Sequence, residues 1–288
     1  MKPLNVVVTA ILVSVAVTFA VMRLSPHSAL PHKETSFERV LRTGTIRCGY
    51  EYWDSGIMQD PASGKLHGTW VDILEEIGKV AALKIEWAEH VGWGDVGAAL
   101  KSGKIDAMCA GMWQSTEKAK EMAFSLPLAY QSIEAFARAD ETRFDKDLSR
   151  INSEDVNIVV IDADTSDFLA REDFPKAKRT SLSQLNGTDA EQFLALATNK
   201  ADVTFDTPGL WRQFDKANPG KVRRVAPGHD LRVFGMSVVV DNDDPRFVEM
   251  LDVAAQEIVN SGSVDRILAK TDADYPDMYL KTVKPYRE

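Results

Sequence analysis

The sequence predicts an α/β fold built as two units, each a mostly parallel sheet flanked by helices. Three observations predict it. Short strand-like runs alternate with stretches of helical period from about residue 36 onward. Such alternation pairs strands in parallel, because each crossover helix returns the chain to the same end of the sheet. The alternation occurs twice, first from Phe37 to Cys109 and again from Val156 to Phe205. A further strand, Phe234–Val240, and two helices then follow, enough to return the chain to the first unit.

Each element has a local reason. Phe37–Arg42 reads as a short helix ended by Gly44, and Thr45–Gly49 as a strand. Asp60–Gly68 carries Pro61, Ser63, Gly64 and Gly68 and reads as a hairpin loop. From Trp70, the apolar residues Ile73, Leu74, Ile77, Val80 and Ala81 fall on one helical face. Leu83–Trp87 alternates as a strand does, Val96–Leu100 is a helix stopped by Gly103, and Ile105–Cys109 is a strand. In the second unit, Val156–Ile161 is a buried strand, Ser166–Arg171 and Ala190–Ala197 are helical, and Ala201–Phe205 is a strand. Trp211–Lys216 is helical before Asn218–Pro219–Gly220. Pro245–Ser261 is a long amphipathic helix stopped by Gly262, and Ser263–Lys270 a last one.

Composition narrows the function. The 288 residues are 44% hydrophobic and 27% charged, which suffices for a packed core. A net charge of −9 without a basic block excludes a nucleic-acid binder, since phosphate neutralisation needs clustered Lys and Arg. The two cysteines, Cys48 and Cys109, form no CxxC or Cys/His cluster, so no metal site and no cofactor is expected. Both lie in apolar strand-like runs and read as two buried small hydrophobes, with a disulfide permitted if the chain is exported. Lys2 precedes an uncharged apolar run from Leu4 to Met22, the pattern of a signal peptide or of an N-terminal membrane anchor. Either places the remainder in the periplasm.

Five stretches carry a family resemblance. They are GTIRCGYEYW from Gly44, GKLHGTWVDILEEIGKVAALKIEW from Gly64, LKSGKIDAMCAGMWQSTEKAKEMAFSLPLAYQS from Leu100, NKADVTFDTPGL from Asn199, and FGMSVVVDNDDPRFVEMLDVAAQEIVNSGSVDRILAK from Phe234. In this order they resemble the bacterial extracellular solute-binding proteins of family 3, the type II periplasmic binding proteins that often serve amino-acid ABC transporters. The resemblance runs from Ser36 to Lys270. It implies a two-lobed type II periplasmic binding protein fold with a ligand cleft between the lobes. Residues 1–35 are then signal peptide or anchor plus linker. Residues 36–130 and 234–288 form lobe one, residues 133–226 lobe two, and the hinge strands lie near 131–137 and 227–238.

The same resemblance implies the ligand site. Tyr52, Trp53 and Trp113 fall on the family's ligand loops, and Gly111 on its small-residue loop. Ser115 stands at an expected helix start, where free N–H groups suit an anion and where plain capping is the alternative role. Lys118 replaces the arginine that usually grips an α-carboxylate, exchanging a bidentate fork for a point charge. Thr165 and Ser166 match the second-lobe clamp in type, yet Asp162, Asp164 and Asp167 beside them repel an anion. Asp206 matches the acid that meets the ligand's amino group, with one residue missing just before it. Aromatic walls and several acids make a cationic amine an alternative ligand.

The expected function is therefore capture of an amino acid or similar small polar solute for an ABC importer, without catalysis. The expected partners are a small-molecule ligand and permease subunits, with the protein itself a monomer and membrane contact confined to the N-terminal segment. Two other classes stay open: an enzyme such as a dehydratase on the same fold, and a membrane-tethered ligand sensor. No nucleophile elbow, metal motif or phosphate loop is present.

Overall fold

A computed structural model describes Ser14 and residues 34–162, 164–183 and 189–282. The expected signal peptide or anchor lies outside the described residues, apart from isolated Ser14. Among them, no helix is long and apolar enough to cross a membrane. The chain from Ser36 onward is one unit.

Its first part runs α1 (Ser36–Thr43), β1 (Thr45–Tyr50), a hairpin of β2 (Met58–Gln59) and β3 (Leu66–His67), α2 (Thr69–Ala81), β4 (Lys84–His90), α3 (Val96–Lys101) and β5 (Ala107–Trp113). Then come β6 (Met122–Phe124) and the long β7 (Ala129–Arg138). The second part holds β8 (Asn157–Ile161), α4 (Thr165–Asp173), β9 (Lys178–Leu182), α5 (Asp189–Ala197), β10 (Val203–Asp206), α6 (Pro208–Ala217) and β11 (Val222–Arg224). The chain returns through β12 (Arg232–Asp241), α7 (Pro245–Asn260) and α8 (Ser263–Asp274).

The strands lie in the order β4-β1-β5-β12-β7-β10-β8-β9. β1 pairs in parallel with β4 and β5, and β8 with β9 and β10. The two parallel groups are joined by β12 and β7, which run antiparallel to each other. β7 is shared: Ala129–Ile133 pair with β12, and Glu134–Ala137 with β10.

The hydrophobic residues gather accordingly. A first core surrounds α2, whose Trp70, Ile73, Leu74 and Ile77 are fully buried against β5 and α7. The second part packs on both faces of its sheet. Ile158 and Val160 face Leu169 and Ala170 of α4, whereas Val159 and Phe136 face Phe193, Leu196 and Phe214 of α5 and α6. This is the two-residue alternation of strand side chains. Asp106, fully buried just before β5, accepts hydrogen bonds from the Arg39 Nε (2.8 Å), the Arg47 N–H (2.7 Å) and Arg47 Nη2 (2.9 Å). That network ties α1, β1 and β5 together.

One expectation is corrected. Cys48 and Cys109 are not two separate small hydrophobes but a disulfide, with Cα atoms 5.5 Å apart. The register explains it: Cys48 lies opposite Ala107 on the neighbouring strand, so Cys109, two residues on, shares its face and can reach it.

Candidate functional site

In open parallel sheets, ligands settle at the carboxyl ends of the strands, where the chain turns into loops and helices. The candidate residues fall at such ends of both parallel groups. Tyr52 and Trp53 follow β1, Gly111 and Trp113 end β5, and Ser115 and Lys118 lie just beyond it. Thr165 and Ser166 follow β8, and Asp206 ends β10.

Trp53, Gly111 and Trp113 are brought together along β5. The Trp53 Nε1 donates to the Ala110 carbonyl at 3.1 Å, and its loop is closed by two hydrogen bonds with Ile57. Gly111 has φ +74°, and a Cβ there would lie 2.0 Å from the Trp70 indole. Only glycine fits, and the backbone at that point stays bare. Trp113 stacks on Phe234 of β12 at 5.2 Å and 14°, and it packs against both cores. Tyr52 sits apart, stacked on His90 at the end of β4 (5.1 Å), with His90 Nε2 2.6 Å from Glu51.

The expected helix at Ser115 is a single 3₁₀ turn, Lys118–Lys120. The Lys118 N–H donates to Ser115 Oγ at 3.2 Å, so Ser115 caps that turn. One turn has little dipole, and the charge here is the Lys118 ammonium itself.

In the second part of the chain, Ser166 is buried, and the Ile161 N–H donates to its Oγ at 3.0 Å. The hydroxyl thereby fastens the β8–α4 turn. Thr165 is half-buried at the first position of α4. Asp167 turns inward to Arg179 (3.0 Å) and Arg171 (3.3 Å), which neutralise it. Asp206 is 6% exposed, and its Oδ1 accepts the Thr207 N–H at 2.7 Å. The next residue, Thr207, caps α6.

Lys118 and Asp164 decide the electrostatics. Burial pushes the Lys118 ammonium below its usual range, and the Asp164 charge opposes that shift. Burial pushes the Asp164 carboxyl up, while the Thr165 N–H and Lys118 pull it back down. Both side chains keep contact with solvent although protein crowds them. The two groups come from separate parts of the chain, and each feels the other's charge.

Sequence reasoning missed Gln131. It is 3% exposed, and its Oε1 accepts the Trp113 indole N–H at 2.7 Å. Its signal was a polar residue inside the apolar run of β7, where burial demands a partner. Among the described residues no cluster of His, Cys, Asp or Glu could hold a metal. Two pockets of about 200 and 290 Å³ lie under Tyr279 and under the β2–β3 hairpin, and neither includes a candidate residue.

A family model for bacterial extracellular solute-binding proteins, family 3, matches residues 46–271. The chain belongs to that family. The solute-binding protein is 24% identical to a "Probable histidine-binding protein" of Neisseria gonorrhoeae over 214 residues, covering 73% of this chain and 76% of that one. Among solved structures, it is similar to an ancestral amino-acid-binding protein that is a precursor of cyclohexadienyl dehydratase. That match has TM-score 0.67 and 22% identity, over 82% of this chain and 98% of the other. It is also similar to a binding component of an ABC transporter from Wolinella succinogenes DSM 1740 complexed with lysine. Here the TM-score is 0.67 with 20% identity, over 79% of this chain and 95% of that one. The fold is that of the two-lobed periplasmic binding proteins.

Proposed function

We propose that this solute-binding protein captures an amino acid with a cationic side chain and delivers it, unchanged, to an ABC permease from the periplasm. The lobes are 36–130 with 234–288, and 133–226, joined by the strands near 131–137 and 227–238; residues 1–35 export or tether the chain. One observation carries the choice of ligand. One ammonium, Lys118, and two carboxylates, Asp164 and Asp206, lie at or just beyond the carboxyl ends of β5, β8 and β10, and we read these three as facing the ligand. A zwitterion satisfies Lys118 and one acid, so the remaining acid calls for a further positive charge. Trp113 and Trp53, with Tyr52 farther out beside β4, supply an aromatic wall for the ligand's stem. The bare backbone at Gly111 admits close approach, Ser115 holds the Lys118 turn, and Thr165 and Ser166 hold the Asp164 corner. Relatives named for histidine and solved with lysine fit the same chemistry.

Calorimetry with L-lysine, L-arginine, L-histidine, L-glutamine and L-glutamate tests this reading. The cationic amino acids bind and glutamate does not. Lys118→Ala and Asp206→Ala each weaken binding about ten-fold or more, because each leaves a ligand charge desolvated without its partner. Asp164→Asn weakens lysine more than glutamine. Glutamate binding more tightly than lysine refutes the assignment, and a chemically altered ligand after incubation refutes the absence of catalysis. A reporter fused after Glu288 that is active only in the cytoplasm refutes export.

A further inference from the structure

Beyond α8, residues 275–282 leave the first core and cross β7. Tyr130 and Leu280 exchange two backbone hydrogen bonds there, at 2.9 and 2.7 Å. On the first-core side, the Tyr279 hydroxyl meets Ser55 Oγ at 3.2 Å, and its ring faces Trp53 at 6.0 Å. On the other side, Asp277 Oδ2 accepts Arg212 Nε of α6 at 2.7 Å and lies 3.7 Å from Arg224 of β11. Met278 is buried against the first turn of α6, where a Cβ on Gly209 would come within 2.7 Å of the Met278 Cα. One short segment therefore touches both cores and the strand between them.

The same segment reaches the aromatic wall. Its Met278 carbonyl accepts Gln131 Nε2 at 3.2 Å, and Gln131 Oε1 accepts the Trp113 indole N–H at 2.7 Å. Both ends of a buried amide are engaged, so the amide cannot turn without stranding a polar group. We infer that residues 275–282 are a third tie between the lobes, and that through Gln131, a positioning residue, this tie sets the place of the Trp113 indole. The role of that indole as a ligand wall rests on the proposed function; the linkage itself does not. The Asp277–Arg212 pair is 43% exposed on each side, and an exposed ion pair is a weak fastening that can yield when lobes move.

The test uses the full chain, ¹⁵N-labelled and without ligand. Its six tryptophans give six indole N–H signals, and Trp113→Phe and Trp93→Phe identify two of them. Asp277→Asn and Arg212→Gln change exposed side chains and leave the cores intact. Each is expected to move the Trp113 signal by more than its linewidth, or to broaden it, while the Trp93 signal holds still. Gln131→Met moves the Trp113 signal further, because the acceptor itself is gone. A Trp113 signal unmoved in both Asp277→Asn and Arg212→Gln overturns the linkage. A uniform shift of all six signals also overturns it, since that reports general loosening. Failure to bind any amino acid defeats the proposed function and leaves this result standing.

Discussion

Breaking the Cys48–Cys109 bridge is the perturbation with the clearest magnitude. The bond joins β1 to β5, the strands that lead into the loops of the candidate residues, across a separation of 61 residues. Releasing a loop of that length frees the unfolded chain by about 14 cal/mol/K, or about 4 kcal/mol at 25 °C. The native strands are also held by the Asp106 network and by strand pairing, so the reduced protein still folds. Both cysteines are fully buried, so reduction is carried out in denaturant and the protein refolded with reductant present. Urea unfolding of the oxidised and reduced forms, followed by circular dichroism, measures the difference. The expected loss is about 2–4 kcal/mol, and at about 2–4 °C per kcal/mol for a chain of this size the melting temperature falls by about 4–16 °C. A difference below about 1 kcal/mol refutes the entropic argument. Two titratable thiols in the denatured, unreduced protein refute the bridge itself.

Other perturbations follow from the same geometry. Gly111→Ala meets both a left-handed backbone and the Trp70 ring; about 1–2 kcal/mol for the conformation and about 1–3 for overpacking predict a loss of about 2–5 kcal/mol by urea titration. Asp106→Ala strands two guanidinium groups that are partly solvated, and costs about 3 kcal/mol, the lower end for a broken buried pair; an unchanged unfolding midpoint speaks against the network. Asp164→Asn is expected to raise the melting temperature at pH 7. The folded carboxyl is pushed above its unfolded value, so its contribution to stability is present below the unfolded pKa and is lost as pH rises through the folded one. The gain from the substitution therefore vanishes below about pH 4, and a gain that persists there contradicts the assignment. In the wild type, lysine affinity falls as acid neutralises Asp164, beginning at a higher pH than an ordinary carboxylate requires.

The parallel order of strands and helices was legible because each buried element repeats apolar residues at its own period. The run from Trp70 to Ile77 is one face of α2, and Ile158 to Val160 shows the two faces of β8. β9 was not legible. It is an edge strand whose residues, Lys178 to Leu182, are polar but for the last and largely exposed, so no alternation marks it. The three-residue strands β6 and β11 are too short to show a period at all. Within the site, Lys118, Asp206 and the aromatic loops could be singled out by resemblance, but their states could not. Ser115 and Ser166 spend their hydroxyls on backbone N–H groups, which depends on how two turns fold and not on residue type.

By itself the sequence determined the α/β alternation, the family-like order of its stretches and the charged residues at the loops, since periodicity and residue chemistry are local properties. Only the tertiary structure decided the rest. It made a disulfide of two cysteines by placing β5 beside β1, and brought Asp164 within reach of the Lys118 charge from a separate part of the chain. It also linked Trp113 to Met278 through Gln131. Each of these joins residues far apart along the chain, and such pairs meet only when the strands have taken their order and register.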